Sequence, residues 1–239
     1  MTEAREQLIV ALDVATAAAA RSIVAAVGES ASTYKVGKQL FTAEGPRVVR
    51  DLIASGRKVF LDLKFHDIPN TVAAAVVEAT KLDVSMLTVH ASGGAKMLRA
   101  AVDAAKSSSA KPTVLAVTVL TSFSDEDLQE VGFSGRVLDE VLRLAALATS
   151  SGCGGIVASP REVREVRREL GSGFAIVTPG VRPAGGEKGD QARVATPAEA
   201  IAAGATHIVV GRPITAAANP AAAARSIVEE IASVPAGVR

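Results

Sequence analysis

The sequence predicts an α/β chain folded as a single-domain (β/α)8 TIM barrel, and three observations predict it. Eight short Val/Ile/Leu-rich runs recur, at residues 7–13, 33–37, 58–64, 85–90, 113–121, 155–159, 174–179 and 207–211. Most are continuously apolar rather than alternating, as strands buried on both faces of a parallel sheet are. Stretches of helical length separate them, and 239 residues is close to the roughly 250 that eight strand–helix units need. A doubly wound open sheet is the competitor. It usually has fewer strands and a glycine-rich dinucleotide turn after the first, whereas here the first run ends in Ala11-Leu12-Asp13-Val14 without a glycine.

The intervening helices are expected at 46–55, 71–81, 95–106, 136–150 and 160–170. The Ala-rich stretches 17–20 and 221–224 read as helix surface, since Ala has the highest helix propensity. Ser159-Pro160, Thr196-Pro197 and Asn219-Pro220 each read as a cap residue followed by Pro at the first helical position. The barrel core is expected to span 7–232, with frayed ends on either side.

Composition bounds the function. With 49% apolar and 21% charged residues the chain is not disordered. Twenty-six basic residues against 25 acidic ones leave a net charge of +1, so no bulk basic field suggests nucleic acid or a membrane surface as partner. The single cysteine, Cys153, forms no internal disulfide and reads as a small buried residue. The start MTEAREQ lacks the apolar core of a signal peptide, and no apolar stretch reaches the roughly 18 residues of a membrane helix, so a cytoplasmic protein is expected.

Barrels of this kind carry their active sites at the C-terminal ends of the strands. Those ends hold Asp13, then Lys35 with Gly37, then Asp62-Leu63-Lys64-Phe65-His66-Asp67, then His90, Thr121, Thr178-Pro179-Gly180-Val181-Arg182 and Gly211-Arg212-Pro213. Charged residues at the ends of otherwise apolar strands have no packing reason to be there. Asp62 and Lys64 are two apart and project to one face of a strand. Asp13 and Lys35 sit at similar depth on neighbouring strands. One such pair would read as a structural ion pair; two lysines and two or three carboxylates converging on one mouth point to chemistry.

Gly211-Arg212-Pro213 is a second signal. The loops after strands seven and eight form the usual phosphate site of these barrels. A glycine lets backbone approach a ligand, Pro213 opens a short helix, and Arg182 and Arg212 add bidentate charge. The polar, glycine-bearing stretch 182–193 reads as a lid over the phosphate, with a plain loop as the alternative. His66 reads as a loop residue, His90 as support for the site and His207 as structural at the opposite end of the barrel. Lys35 and Lys64 among the carboxylates make a closed metal site unattractive, and no metal is expected.

The block Asp62-Leu63-Lys64-Phe65-His66-Asp67-Ile68-Pro69-Asn70-Thr71 resembles the signature of the orotidine 5′-phosphate decarboxylase family. Ala11-Leu12-Asp13, Lys35-Val36-Gly37, Thr178-Pro179-Gly180-Val181-Arg182-Pro183, Gly189-Asp190-Gln191 and Gly211-Arg212-Pro213 resemble its other motifs, in order. The resemblance runs from residue 7 to about 232. It implies conversion of orotidine 5′-phosphate to UMP and CO2, the last step of de novo UMP synthesis, with neither metal nor organic cofactor. It also implies a homodimer with each site near the subunit interface.

By the same resemblance Lys64 is the proton donor and Asp62 faces the substrate carboxylate. Asp67 reaches the partner subunit's site, along with Ile68 and Thr71. Asp13 and Lys35 hold the ribose, Lys35 within the catalytic charge cluster, and Thr121 contacts the pyrimidine. Pro179, Arg182, Gln191, Gly211 and Arg212 bind the nucleotide or its phosphate. Some archaeal members carry a Gln where this chain has Ala184; Gln191 follows the bacterial pattern.

Two rival readings remain at this stage. A Mg²⁺-dependent aldolase or decarboxylase of keto-sugar phosphates shares the Asp-x-Lys-x-x-Asp pattern, but resembles Ala-Gly where this chain has Ile68-Pro69-Asn70-Thr71. A non-catalytic nucleotide-binding barrel would keep Gln191 and Arg212 and have no need of Lys64 beside two carboxylates.

Overall fold

The structure, a computed structural model, describes residues 2–183 and 195–235. Eight strands close into a parallel barrel in chain order: β1 (Leu8–Ala11), β2 (Thr33–Gly37), β3 (Lys58–Phe65), β4 (Met86–His90), β5 (Thr113–Val117), β6 (Gly155–Val157), β7 (Ala175–Thr178) and β8 (His207–Val210). The expected fold class is the observed one.

The continuously apolar strands are explained by two cores, one on each face of the sheet. Ile9, Ala11, Phe60, Leu115, Val117, Val157, Val177 and Val209 fill the barrel interior. The residues between them, among them Leu8, Val10, Tyr34, Leu61, Leu87, Ile156 and Ile208, pack outward under the helices. Burial on both faces leaves no room for polar alternation. The interior is tight at β6, where a Cβ on Gly155 would lie 2.5 Å from the Ala175 carbonyl oxygen and 2.7 Å from a Leu115 methyl. Only glycine admits that approach.

Helices Ala17–Val27, Lys38–Glu44, Pro46–Ala54, Pro69–Thr80, Gly94–Lys106, Val137–Ser150, Val163–Leu170, Pro197–Ala202 and Pro220–Ala232 form most of the outer ring. Their starts follow local chemistry. Thr196 accepts from the Glu199 amide while Glu199 reaches back, with Pro197 in the first turn. Asn219 accepts from the Ala222 amide ahead of Pro220.

Several boundaries differ from expectation for physical reasons. Pro160 does not open a helix: the Ser159 hydroxyl accepts from the Arg161 amide in a turn, and the helix begins at Val163. β5 stops at Val117, not at residue 121: the Thr118 amide makes the last ladder bond, to the Val157 carbonyl, which the Thr118 hydroxyl also reaches, and the chain leaves the ladder after it. Thr2–Gln7 is helical rather than frayed.

Candidate active site

β2 and β3 pair in unbroken register from Thr33↔Lys58 to Gly37↔Asp62, which brings Lys35 and Asp62 to neighbouring inward positions. β1 pairs Ala11 with Lys35, so Asp13, just beyond β1, overhangs the Lys35 ammonium. Lys35 Nζ lies 2.8 Å from Asp13 Oδ1 and 3.7 Å from Asp62 Oδ2, and Lys64 Nζ lies 2.7 Å from Asp62 Oδ1. The result is a chain Asp13–Lys35–Asp62–Lys64, open to solvent at Asp13 and largely buried at the other three. Gly37 makes room for it, since a Cβ there would come within 3.0 Å of Lys35 Nζ and 3.3 Å of Asp13 Oδ1.

Asp62 and Lys64 meet, though not by simple strand alternation. β3 bulges against β4: Leu61 pairs with Leu87, and the next pair is Phe65 with Val89. Lys64 sits inside that bulge at φ +54°, the left-handed region, which costs a non-glycine residue on the order of 1–3 kcal/mol and persists only where the surroundings enforce it. Thr88, the one residue of β4 opposite the bulge, accepts from the Lys64 amide at 2.9 Å and donates to Asp62 Oδ1 at 3.0 Å. Sequence reading did not single out Thr88, because a threonine in an apolar strand reads as packing. Only its opposition to the D-x-K motif marks it.

Electrostatics keep Asp62 ionised. Burial alone would raise its pKa, but attraction to Lys64 and Lys35 and hydrogen bonds from Lys64 and Thr88 outweigh that and hold it below the usual carboxylate value. His90 is pushed from its ordinary 6.5 to about 4, chiefly by burial and then by His66, Lys64 and Lys38, so it is neutral at pH 7. Its ring lies 5.5 Å from that of His66.

The cluster forms one wall of a cavity of about 460 Å³ at the C-terminal mouth of the barrel. Its floor is the top of the interior stack: Phe60, Val117, Val157, Val177 and Val209. Across from β3, the loops after β7 and β8 contribute Pro179, Arg182, Gly211 and Arg212, and Thr121 comes from the loop after β5. Four cations (Lys35, Lys64, Arg182, Arg212) face two carboxylates (Asp13, Asp62), so the described lining carries two excess positive charges in a nearly neutral chain.

Asp67, Ile68 and Thr71 are exposed on the turn after β3 and the helix that follows, and they do not line this cavity; Ile68 keeps 65% of its surface. Gln191 and most of the stretch expected as a lid lie outside the described residues. Of the described residues beside that gap, the Arg182 amide donates to the Ala195 carbonyl at 3.0 Å. Among the described residues no group of three or more His, Cys, Asp or Glu is arranged to hold a metal ion. Cys153 is buried, with its thiol pushed up to about 11 by that burial, which leaves it an inert packing residue.

Comparison with known proteins decides the family. The model of the orotidine 5′-phosphate decarboxylase / HUMPS family matches residues 6–227. The chain belongs to this family. Among its decarboxylase relatives, the orotidine 5′-phosphate decarboxylase of Syntrophotalea carbinolica is 52% identical over 238 residues, covering 98% of both chains. That of Anaeromyxobacter dehalogenans is 54% identical, covering 93% of this chain and 96% of its own. The crystal structure of orotidine 5′-phosphate decarboxylase from Lactobacillus acidophilus superposes with a TM-score of 0.85 at 39% identity, covering 95% of this chain and 99% of that one.

Proposed function

We propose that this family member is itself a decarboxylase, converting orotidine 5′-phosphate to UMP and CO2 at the close of pyrimidine nucleotide synthesis. The observation that carries the reading is the Lys64 ammonium, held 2.7 Å from Asp62 in a cationic cavity whose opposite side bears Arg182 and Arg212. β3 and β7 are diametrically opposed in an eight-strand ring, so the two ends of a nucleotide that carries a carboxylate and a phosphate each meet a cation. The curated relatives bearing the decarboxylase name match over nearly the full chain, which separates this reading from a keto-sugar phosphate enzyme.

The chemistry follows from the placement. The C6–carboxyl bond breaks, the electron pair stays on C6, and CO2 leaves. Lys64 stabilises the carbanion as it forms and then transfers a proton from Nζ to C6, to be reprotonated from solvent. Asp62, ionised and fixed, repels the substrate carboxylate. At about 4 Å and an effective dielectric of about 20 this is worth about 4 kcal/mol, roughly three decades of rate. The remainder is supplied by binding energy from the phosphate, gripped by Arg182, Arg212 and Gln191. Asp13 and Lys35 hold the ribose hydroxyls, Pro179 and Gly211 approach through backbone, and Thr121 contacts the pyrimidine. No step uses a metal or an organic cofactor.

The same reading makes the enzyme a cytoplasmic homodimer of single-domain chains in which Asp67, Ile68 and Thr71 complete the partner's cavity. Their exposure beside their own Lys64, outside their own cavity, supports this. Ile68, with 65% of its surface exposed, is free to enter a partner's cavity.

The test is the ultraviolet absorbance of orotidine 5′-phosphate mixed with the protein, with and without EDTA. Conversion to UMP insensitive to EDTA is the expected result. An unchanged spectrum sinks the reading, and Mg²⁺-dependent turnover of a keto-sugar phosphate would replace it with the rival.

A further inference from the structure

The bulge between β3 and β4 poses an accounting problem. Three residues, Asp62, Leu63 and Lys64, stand where β4 offers only Thr88 between two regular pairs. Lys64 is in the left-handed conformation, and its amide finds a side chain of β4 rather than a ladder carbonyl. A buried N–H needs a partner. Thr88, with none of its surface exposed, supplies one: its Oγ1 accepts from that amide at 2.9 Å. A hydroxyl has a single hydrogen, and here it goes to Asp62 Oδ1 at 3.0 Å, the same oxygen that accepts from Lys64 Nζ at 2.7 Å. The ring is closed: amide of Lys64 to hydroxyl of Thr88, hydroxyl to carboxylate of Asp62, carboxylate to ammonium of Lys64. Asp62 Oδ2 is left to Lys35.

We propose that Thr88 is a positioning residue of the decarboxylase site, setting both the backbone from which Lys64 projects and the orientation of the Asp62 carboxylate. It does not line the cavity. It acts through the two residues that do. The inference rests on the decarboxylase reading for its kinetic part and on the Asp62–Lys64 geometry alone for the rest.

Thr88→Val keeps the shape and deletes the hydroxyl, leaving one partly buried amide without that acceptor and the carboxylate one donor short. The expected result is a kcat about 10–100-fold lower, the cost of one lost hydrogen bond to a charged group, with KM for orotidine 5′-phosphate changed less than about threefold because the phosphate grip is untouched. Thr88→Ser, which keeps the hydroxyl, restores kcat to within about threefold. Thr88→Cys, nearly the same size with a weak donor, falls between the two, and it carries the test if Thr88→Val does not fold. A second readout needs no turnover: carbon NMR of Asp-labelled protein, with Asp62→Asn assigning the resonance. Asp62 titrates at higher pH in Thr88→Val than in the unaltered protein. A structural role alone would lower the melting temperature and move neither readout.

Unaltered kcat together with an unmoved Asp62 titration in Thr88→Val, or in Thr88→Cys, overturns the proposal. If the unaltered chain fails to turn over orotidine 5′-phosphate, the functional reading fails by itself, and the Asp62 titration still decides the role of Thr88.

Discussion

Two strand junctions on either side of β3 behave differently. β2 and β3 pair through five consecutive residues in perfect register, while β3 and β4 lose register over Asp62–Lys64. The first junction is what packing alone produces. It sets Lys35 opposite Phe60 and Gly37 opposite Asp62, so that Lys35 and Asp62 stand two residues apart along the pair on the inward face, with the ladder unbroken. The second costs a left-handed lysine and a diverted amide, and it sits where the charge cluster ends in Lys64. The difference teaches where this barrel departs from regular geometry. It does so at Lys64, the proposed proton donor, and a buried hydroxyl takes the amide that the backbone ladder does not. Strain concentrated at a site and stabilised from elsewhere is the expected pattern for chemistry grafted on a scaffold.

If the mouth and the regular interior are separable in this way, substitutions should sort into two classes. At the mouth, beside Lys64 itself, the substitution is Asp62→Ala, expected to lower kcat by about three decades through loss of about 4 kcal/mol of ground-state repulsion. Its melting temperature should change little, as a steady-state assay beside a thermal melt would show. The interior behaves in reverse. Leu115 is fully buried beneath the cavity, and Leu115→Ala is expected to cost about 2–5 kcal/mol in urea unfolding while the folded fraction keeps its kcat. A large kcat loss there, or a large stability loss at Asp62, would break the division.

The smallest effect concerns pH. His90 in the folded chain titrates at about 4 instead of 6.5. Between those values the unfolded chain holds a proton that the folded one refuses, so stability falls as pH drops from 6.5 towards 4. His90→Gln removes that contribution, roughly 1–3 kcal/mol after allowance for its partial exposure, and flattens the melting temperature over that window. An unchanged slope would mean that His207, whose pKa burial also lowers, carries the dependence instead.

Much of this was legible in the residues, and the exceptions have causes. β2 falls at residues 33–37 as expected, because its apolar run is bounded by Ser32 and by the helix that opens at Lys38. The expected β5 runs past its observed end at Val117 because Thr118 and Val119 continue the β-branched run, and residue type does not mark where pairing with β6 stops. Asp62 and Lys64 were paired correctly on a regular-strand argument, but the contact is made through a bulge, which no residue type announces. Thr88 was invisible for a related reason: its importance lies in what stands opposite it, and pairing between strands is not written in either one. Asp67, Ile68 and Thr71 belong to the cluster in sequence and leave it in space, since the turn carries them onto the surface.

The account stands on the Lys64 ammonium as the group that meets charge at C6, and Lys64→Ala tests it most directly, with kcat for orotidine 5′-phosphate and affinity for UMP measured on the same preparation. The expected result is a kcat at least about a thousandfold lower with UMP still bound within about tenfold, since the arginines across the cavity remain. Turnover near that of the unaltered chain would contradict it.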